Sequence, residues 1–324
     1  MFRKNSELIV LILVLAGALV MMLALNGPSF FKLGNIQSMA FQFPELGVLS
    51  LAMMIAMLTS GINLSIIAST NLSGIVMALI MTTLAPNGGS APGVVLLALL
   101  AGMLVAALIG LLNGWLIAYL DISPILATLG SMILVSGFAI VLTKGYVISG
   151  FPKEMLFIGN GVILGIPVPL LIFLACAGIL SLILVRMPLG TRIYLFGSNP
   201  TATFYSGVNN KTVLMRVYLI SGLLTSVAAM IMIARFNSAK ADYGESYVLL
   251  TILACVLGGV SAAGGFGRVS GLVVALIILQ IISSGLNLFG VSAFLTVALW
   301  GAVLIFVMVI KYLLEQRSLK AASR

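Results

Sequence analysis

The chain has 324 residues, 62% of them hydrophobic and 7% charged, where an ordinary water-soluble domain carries about a quarter charged residues. So few charges cannot coat a globule of this size; a soluble enzyme, a disordered chain and a secreted disulfide scaffold are excluded, and a bilayer-embedded bundle remains. The formal charge of +9 comes without a single His, which removes the commonest general base and metal ligand and leaves no metal site to expect.

About 20 apolar residues cross a bilayer as a helix, so short loops leave room for roughly ten spans in an all-α, polytopic fold, a single transmembrane domain over residues 1–324. The spans are expected near 8–25, 45–60, 64–85, 93–118, 124–143, 166–186, 214–235, 246–262, 270–285 and 292–311. The first follows Arg3 and Lys4 as a signal peptide would, but Leu25-Asn26-Gly27-Pro28 offers no small-residue cleavage site, so it reads as a retained helix. Between the second and third spans, Gly61-Ile62-Asn63-Leu64-Ser65 has the grammar of a helix end followed by a helix start, with Gly61 suited to a C-cap and Asn63 or Ser65 to an N-cap. A broken helix facing solute and a plain turn both fit it. In the third span Ser65, Ser69 and Ser73 recur every fourth residue, with Asn63, Thr70 and Asn71 beside them. Such a stripe is costly against lipid and must face the interior, as interhelical bonds or as the wall of a solute path. The fourth span carries Gly102, Ala106, Gly110 and Gly114 on one face, a row of small residues that suits close helix packing.

Residues 187–213 form a long loop with basic residues and no acid. Within it Ser198 or Asn199 can cap a short helix, Pro200 suits its first turn, and Gly207 can end it. This amphipathic helix suits either rest on lipid headgroups or docking to a partner. Gly264-Gly265-Phe266-Gly267-Arg268 reads as a tight turn. Cys176 and Cys255 lie in apolar runs and read as small hydrophobes.

Orientation follows from the basic residues. With both termini cytoplasmic, the inner side holds Arg3, Lys4, Arg186, Arg192, Lys211, Arg216, Arg268, Lys311, Arg317, Lys320 and Arg324, and the outer side only Lys32, Lys144, Lys153, Arg235 and Lys240. That bias requires an even number of spans. Spans two to five and seven to ten suggest inverted halves, with Gly-interrupted connections at Gly61 and around Gly258–Gly271. Basic runs interleaved with aromatics, as nucleic-acid grips use, are absent. Asp121, Glu154, Asp242 and Glu245 fall at span ends or in loops, and no ionisable group is expected in mid-span, which counts against a self-contained proton-coupled transporter. No Gly-x-x-x-x-Gly-Lys-Ser/Thr phosphate loop occurs, so the chain is not expected to hydrolyse ATP.

The loop Leu189-Gly190-Thr191-Arg192-Ile193-Tyr194, followed by Gly197-Ser198-Asn199-Pro200-x-Ala202 and Ser206-Gly207-Val208-Asn209, resembles the cytoplasmic loop of ribose-type carbohydrate ABC importer permeases. Gly61-Ile62-Asn63-Leu64-Ser65, Asn113-Gly114, Pro124-x-x-Ala127-Thr128-Leu129-Gly130, Ser238-Ala239, Gly258-Gly259-Val260-Ser261 with Gly264-Gly265-Phe266-Gly267, and Gly285-Leu286-Asn287-Leu288-Phe289-Gly290-Val291-Ser292 resemble it in order and spacing. The resemblance implies a permease subunit in a bacterial inner membrane. Its partners would be a second permease copy or a relative, two cytoplasmic ATP-binding subunits holding ATP and Mg²⁺, and a periplasmic solute-binding protein, with no cofactor in this chain. Ser198, Asn199, Pro200, Thr201, Ala202, Thr203, Phe204, Tyr205, Ser206 and Gly207 would form the coupling helix. Candidate path residues are Asn63, Ser65, Ser69, Asn71 and Ser73, with Asn113 and Asn287, all uncharged, which suits a neutral polyhydroxylated solute. The family usually carries Asp at the position of Asn63, so any role there would be neutral hydrogen bonding. A branched-chain amino acid permease of the sister class and a self-contained transporter or channel are the alternatives.

Overall fold

A computed structural model describes residues 3–86, 88–292, 295–305 and 309. The helices are α1 (Arg3–Asn26), α2 (Leu33–Met57), α3 (Ile66–Leu84), α4 (Pro92–Tyr119), α5 (Pro124–Thr143), α6 (Lys153–Asn160), α7 (Val168–Arg186), α8 (Pro188–Ser198), α9 (Pro200–Tyr205), α10 (Asn210–Phe236), α11 (Tyr247–Leu257) and α12 (Val269–Leu288). A further stretch, α13, covers Leu295–Ile305. Four two-residue strands pair antiparallel, β1 (Ile148–Ser149) with β4 (Ser238–Ala239) and β2 (Val162–Ile163) with β3 (Ile166–Pro167).

The chain is mostly helical, and among the described residues seven helices are long and apolar enough to cross a membrane: α2, α3, α4, α5, α7, α10 and α12. The runs expected at 8–25, 246–262 and 292–311 yield shorter apolar stretches. The second of these stops at Leu257 because Gly258 and Gly259 follow, Gly259 in the left-handed region at φ +81°. The end of the last run, beyond 309, lies outside the described residues. The second span begins earlier than 45: α2 runs through Pro44, whose lost backbone bond is tolerated inside a packed bundle.

α10 occupies the centre, packed along α4, α2 and α3, while α7, α11 and α12 lean on α2. The central helices α2, α3 and α10 are largely buried, whereas α5 and α7 leave most of their apolar residues exposed. Leu96, Leu100, Leu104 and Leu108 of α4 and Ile133, Leu134 and Val141 of α5 point outward and exposed. In water each would forgo about 1.5–3 kcal/mol of burial; in a bilayer that face costs nothing.

Along α4, Gly102 lies under Met77 and Ser73 of α3, and Gly114 against Met215 of α10. A Cβ at Gly110 would collide with the Tyr218 carbonyl, and one at Gly222 with the Ala106 carbonyl. Two backbones touch there because neither carries a side chain.

Candidate functional site

Between α2 and α3 the chain leaves the helix for residues 58–65. The left-handed residue of this break is Ser60, at φ +59°, and not Gly61. Gly61 is small for another reason: a Cβ there would stand 2.6 Å from the Tyr218 hydroxyl and 3.3 Å from Pro124. The Asn63 side chain then restarts the helix, its Oδ1 accepting the Ser65 N–H at 3.1 Å and the Ser65 hydroxyl at 2.8 Å. Asn63 Nδ2 donates to Ser221 Oγ at 3.0 Å, and Ser221 donates on to the Ala52 carbonyl. Asn113 Nδ2 donates to Ser65 Oγ at 2.8 Å, and Ser131 donates to Asn113 Oδ1 at 2.5 Å. Thr128 Oγ1 accepts the Leu64 N–H and donates to the Ile62 carbonyl, pinning the break from α5. The result is a buried polar chain joining the break to α4, α5 and α10.

Asn63, Ser65 and Asn113 therefore meet in one cluster. One turn and more along α3, Asn71 donates to the Ala241 and Tyr243 carbonyls at 2.8 and 3.0 Å, and Ser73 to the Gly102 carbonyl at 2.9 Å. Ser69 is buried between them. The structure does not bring Asn287 to this set: it sits exposed near the end of α12, a helix packed on α1, α2 and α11. Sequence reasoning missed Ser221 and Ser131, whose only signal was a small hydroxyl inside an apolar run, and noted Thr128 only as part of a stretch that carries the resemblance.

A second cluster lies at the end of the bundle where α2 stops. Asn199 caps α9, its Oδ1 accepting the Ala202 N–H at 2.9 Å, Pro200 takes the first turn, and Gly207 turns the chain at φ +80°. Asn210 Nδ2 donates to the Pro200 carbonyl, tying α9 to α10. Thr203 is buried, whereas Phe204 and Tyr205 are 64% and 83% exposed with their rings edge to face. Just before α9, a Cβ at Gly197 would collide with the Leu58 carbonyl and with Gly265. Gly265 N–H donates to Leu58 O at 3.0 Å, Ser60 Oγ to Ala263 O at 2.6 Å, and Tyr194 OH to Gly267 O at 2.8 Å. Partial burial raises the Tyr194 hydroxyl above the usual phenol value and keeps it a donor. The end of α8, the α2–α3 break and the α11–α12 connection are thus three backbones in contact. Inverted halves would put equivalent connections at opposite ends; these two touch, so the α2–α3 and α11–α12 connections are not counterparts.

One expectation is corrected. Glu45 stands in the middle of α2, 1% exposed, and pairs with Arg235 of α10 at 3.1 Å. The sequence reading started the span at residue 45 and expected no ionisable group in mid-span; α2 begins at Leu33, which puts Glu45 inside it. Among the described residues no three of His, Cys, Asp and Glu gather as a metal site requires.

A bundle with a lipid-compatible outer face, seven long apolar helices and a buried chain of uncharged polar groups is the architecture of a polytopic membrane protein. The model of the family described as branched-chain amino acid transport system / permease component matches residues 35–308, and the chain belongs to that family. It is 33% identical over 306 residues to the autoinducer 2 import system permease protein LsrD of Escherichia coli (strain K12), covering 92% of this chain and 90% of that protein. It is 34% identical over 290 residues to the ribose import permease protein RbsC of Bacillus subtilis (strain 168), covering 89% and 87%. No solved structure matches the chain.

Proposed function

We propose that the chain is the membrane-spanning subunit of an ATP-driven importer in a bacterial inner membrane, and that its cargo is a sugar or sugar-like polyhydroxylated solute. The observation that carries this reading is the junction at the α9 end. An exposed aromatic pair on a capped helix sits directly beside backbone contacts to two interior connections. A cytoplasmic ATP-binding subunit seated on Phe204 and Tyr205 would push on α8 and α9, and through Gly197 on Leu58 and Gly265. In this reading residues 198–207 are the coupling helix, ATP and Mg²⁺ are held by two partner subunits, and a periplasmic solute-binding protein delivers cargo. A second permease copy or a relative completes the path. α1, α11 and α13 add to the seven long helices to give ten spans in one permease domain, with both termini cytoplasmic, as the bias of basic residues favours.

Asn63, Ser65, Ser69, Asn71, Ser73 and Asn113 form the polar wall of the path in this reading. The name of the B. subtilis relative, a ribose importer, supports a sugar cargo, as does a wall that offers amide and hydroxyl groups rather than charges. The family's description favours a second reading, a branched-chain amino acid. Competition decides between them. Uptake of labelled D-ribose into proteoliposomes holding the full complex is expected, undiminished by excess L-leucine; leucine uptake without ribose uptake would overturn the sugar reading. Asn63→Leu is expected to leave assembly intact and cut uptake at least tenfold, because the Ser65 N–H and the Ser221 hydroxyl lose their shared partner.

A further inference from the structure

Away from the polar chain, the centre of the bundle holds a carboxylate with one oxygen to spare. Glu45 Oε1 accepts from Arg235 Nη2 at 3.1 Å and from the Tyr247 hydroxyl at 2.7 Å. Glu45 Oε2 is buried and has no hydrogen-bond partner among the described residues. A cavity of about 100 Å³ lies against this group, lined by Gln42, Glu45, Arg235, Tyr247, Gln280 and Trp300 among others. At about 30 Å³ per water, that is room for roughly three water-sized groups, the scale of the hydroxyl-bearing edge of a small solute and not of a peptide. An unpaired buried carboxylate oxygen is costly, and a donor supplied from the cavity removes the cost.

We propose that this cavity is a binding subsite for a neutral polyhydroxylated solute; the proposal rests on the import reading above and deepens it. Vicinal hydroxyls both donate and accept. Glu45 Oε2 takes a donated hydroxyl, and Gln42 and Gln280 each offer an amide that donates on one side and accepts on the other. The contact between those two amides is long, 3.5 Å, so both can turn toward a solute without breaking a good bond. Trp300 and Tyr247 give the flat walls against which the C–H face of a sugar ring rests. A metal ion would want several anionic oxygens, and the site has one carboxylate, already countered by Arg235. An amino-acid zwitterion would have to split the Glu45–Arg235 pair to reach either charge.

The test uses the two tryptophans of the chain, Trp115 and Trp300. Trp115 faces outward, 45% exposed, so Trp115→Phe leaves Trp300 as sole reporter in the full-length protein in nanodiscs. D-ribose is expected to shift Trp300 emission saturably, glycine betaine at the same osmolality to leave it unchanged. Glu45→Gln should weaken the ribose response at least about tenfold, as loss of a charged acceptor does. Gln280→Ala, outside the ion pair and so without risk to it, should weaken the response severalfold. An unchanged response in both variants overturns the subsite, as does no response in the parent or a response to L-leucine in place of ribose. Ribose uptake by the assembled complex, measured in parallel, tells whether the import reading falls with it.

Discussion

At Gly110 and Gly222 single atoms decide the architecture. Each hydrogen on those α carbons stands where a methyl would strike the carbonyl of the opposite helix, so α4 and α10 touch backbone to backbone. Gly110→Ala is expected to destabilise by about 1–3 kcal/mol through overpacking. Gly130, in α5, has open space where a Cβ would go, and Gly130→Ala should be neutral or stabilising by up to about 1 kcal/mol. Thermal unfolding in detergent, followed by size-exclusion chromatography, separates the two; equal losses would contradict the packing. The same scale shows how far residue types carry a reading. Asn63, Ser65 and Asn113 stood out as polar groups inside apolar runs, yet Asn63 bonds Ser221, 158 positions away, and Asn113 bonds Ser131 on the next helix. No local pattern states such pairings. Gly61 looked like a cap because glycine so often is one; its real constraint, the Tyr218 hydroxyl, lies 157 positions away in the chain and is visible only in three dimensions.

Elements defined by local rules were the legible ones. α5 covers Pro124–Thr143, the expected bounds, because Pro124 starts it and Lys144 in the left-handed region ends it. α9 is bounded by the Asn199 cap and Gly207, both written in the sequence. α2 was misjudged at its start, since a helix that runs through a buried Pro44 obeys its neighbours and not its own propensity, and Glu45 was misplaced with it. Two predictions belong to these elements. Tyr205→Ala removes an exposed ring that touches little of this chain, so stability should hold; in the assembled complex, solute uptake should fall at least fivefold while ATP hydrolysis persists. Preserved uptake would remove α9 from coupling. On the other side of the molecule, α6 is clasped to the start of α4, where the Ser90 hydroxyl and the Ala91 N–H bond Glu154. The Ser90 bond first, then the backbone bonds, hold its carboxyl below the ordinary carboxylate value. A folded-state pKa below the unfolded one adds stability that is present above the unfolded value and is lost as pH falls through the folded one. Hydrogen exchange at the Ala91 amide, corrected for the intrinsic pH dependence, should therefore rise as acid reaches that lowered value, and Glu154→Gln should abolish the rise.

For the whole molecule, the scarcity of charge announced a bilayer and led to the expectation of a neutral solute path, and the structure adds one buried ion pair to that picture. The pair is internally compensated, Glu45 to Arg235 at 3.1 Å, a fixed feature of the bundle's centre. In the proposed reading energy enters at the loop end, where α8, the α2–α3 break and the α11–α12 connection share backbone contacts. Gly197→Ala should stabilise nothing and damage everything that crosses this junction: folding yield should drop, and what folds should hydrolyse ATP in complex without transport. The most direct measurement is labelled-solute uptake into proteoliposomes containing this chain alone, compared with the same vesicles after its ATP-binding and solute-binding partners are added with ATP and Mg²⁺. The account predicts no accumulation and no ATP hydrolysis by the chain alone, and concentrative uptake only with the partners present; accumulation against a gradient by the chain alone would contradict it.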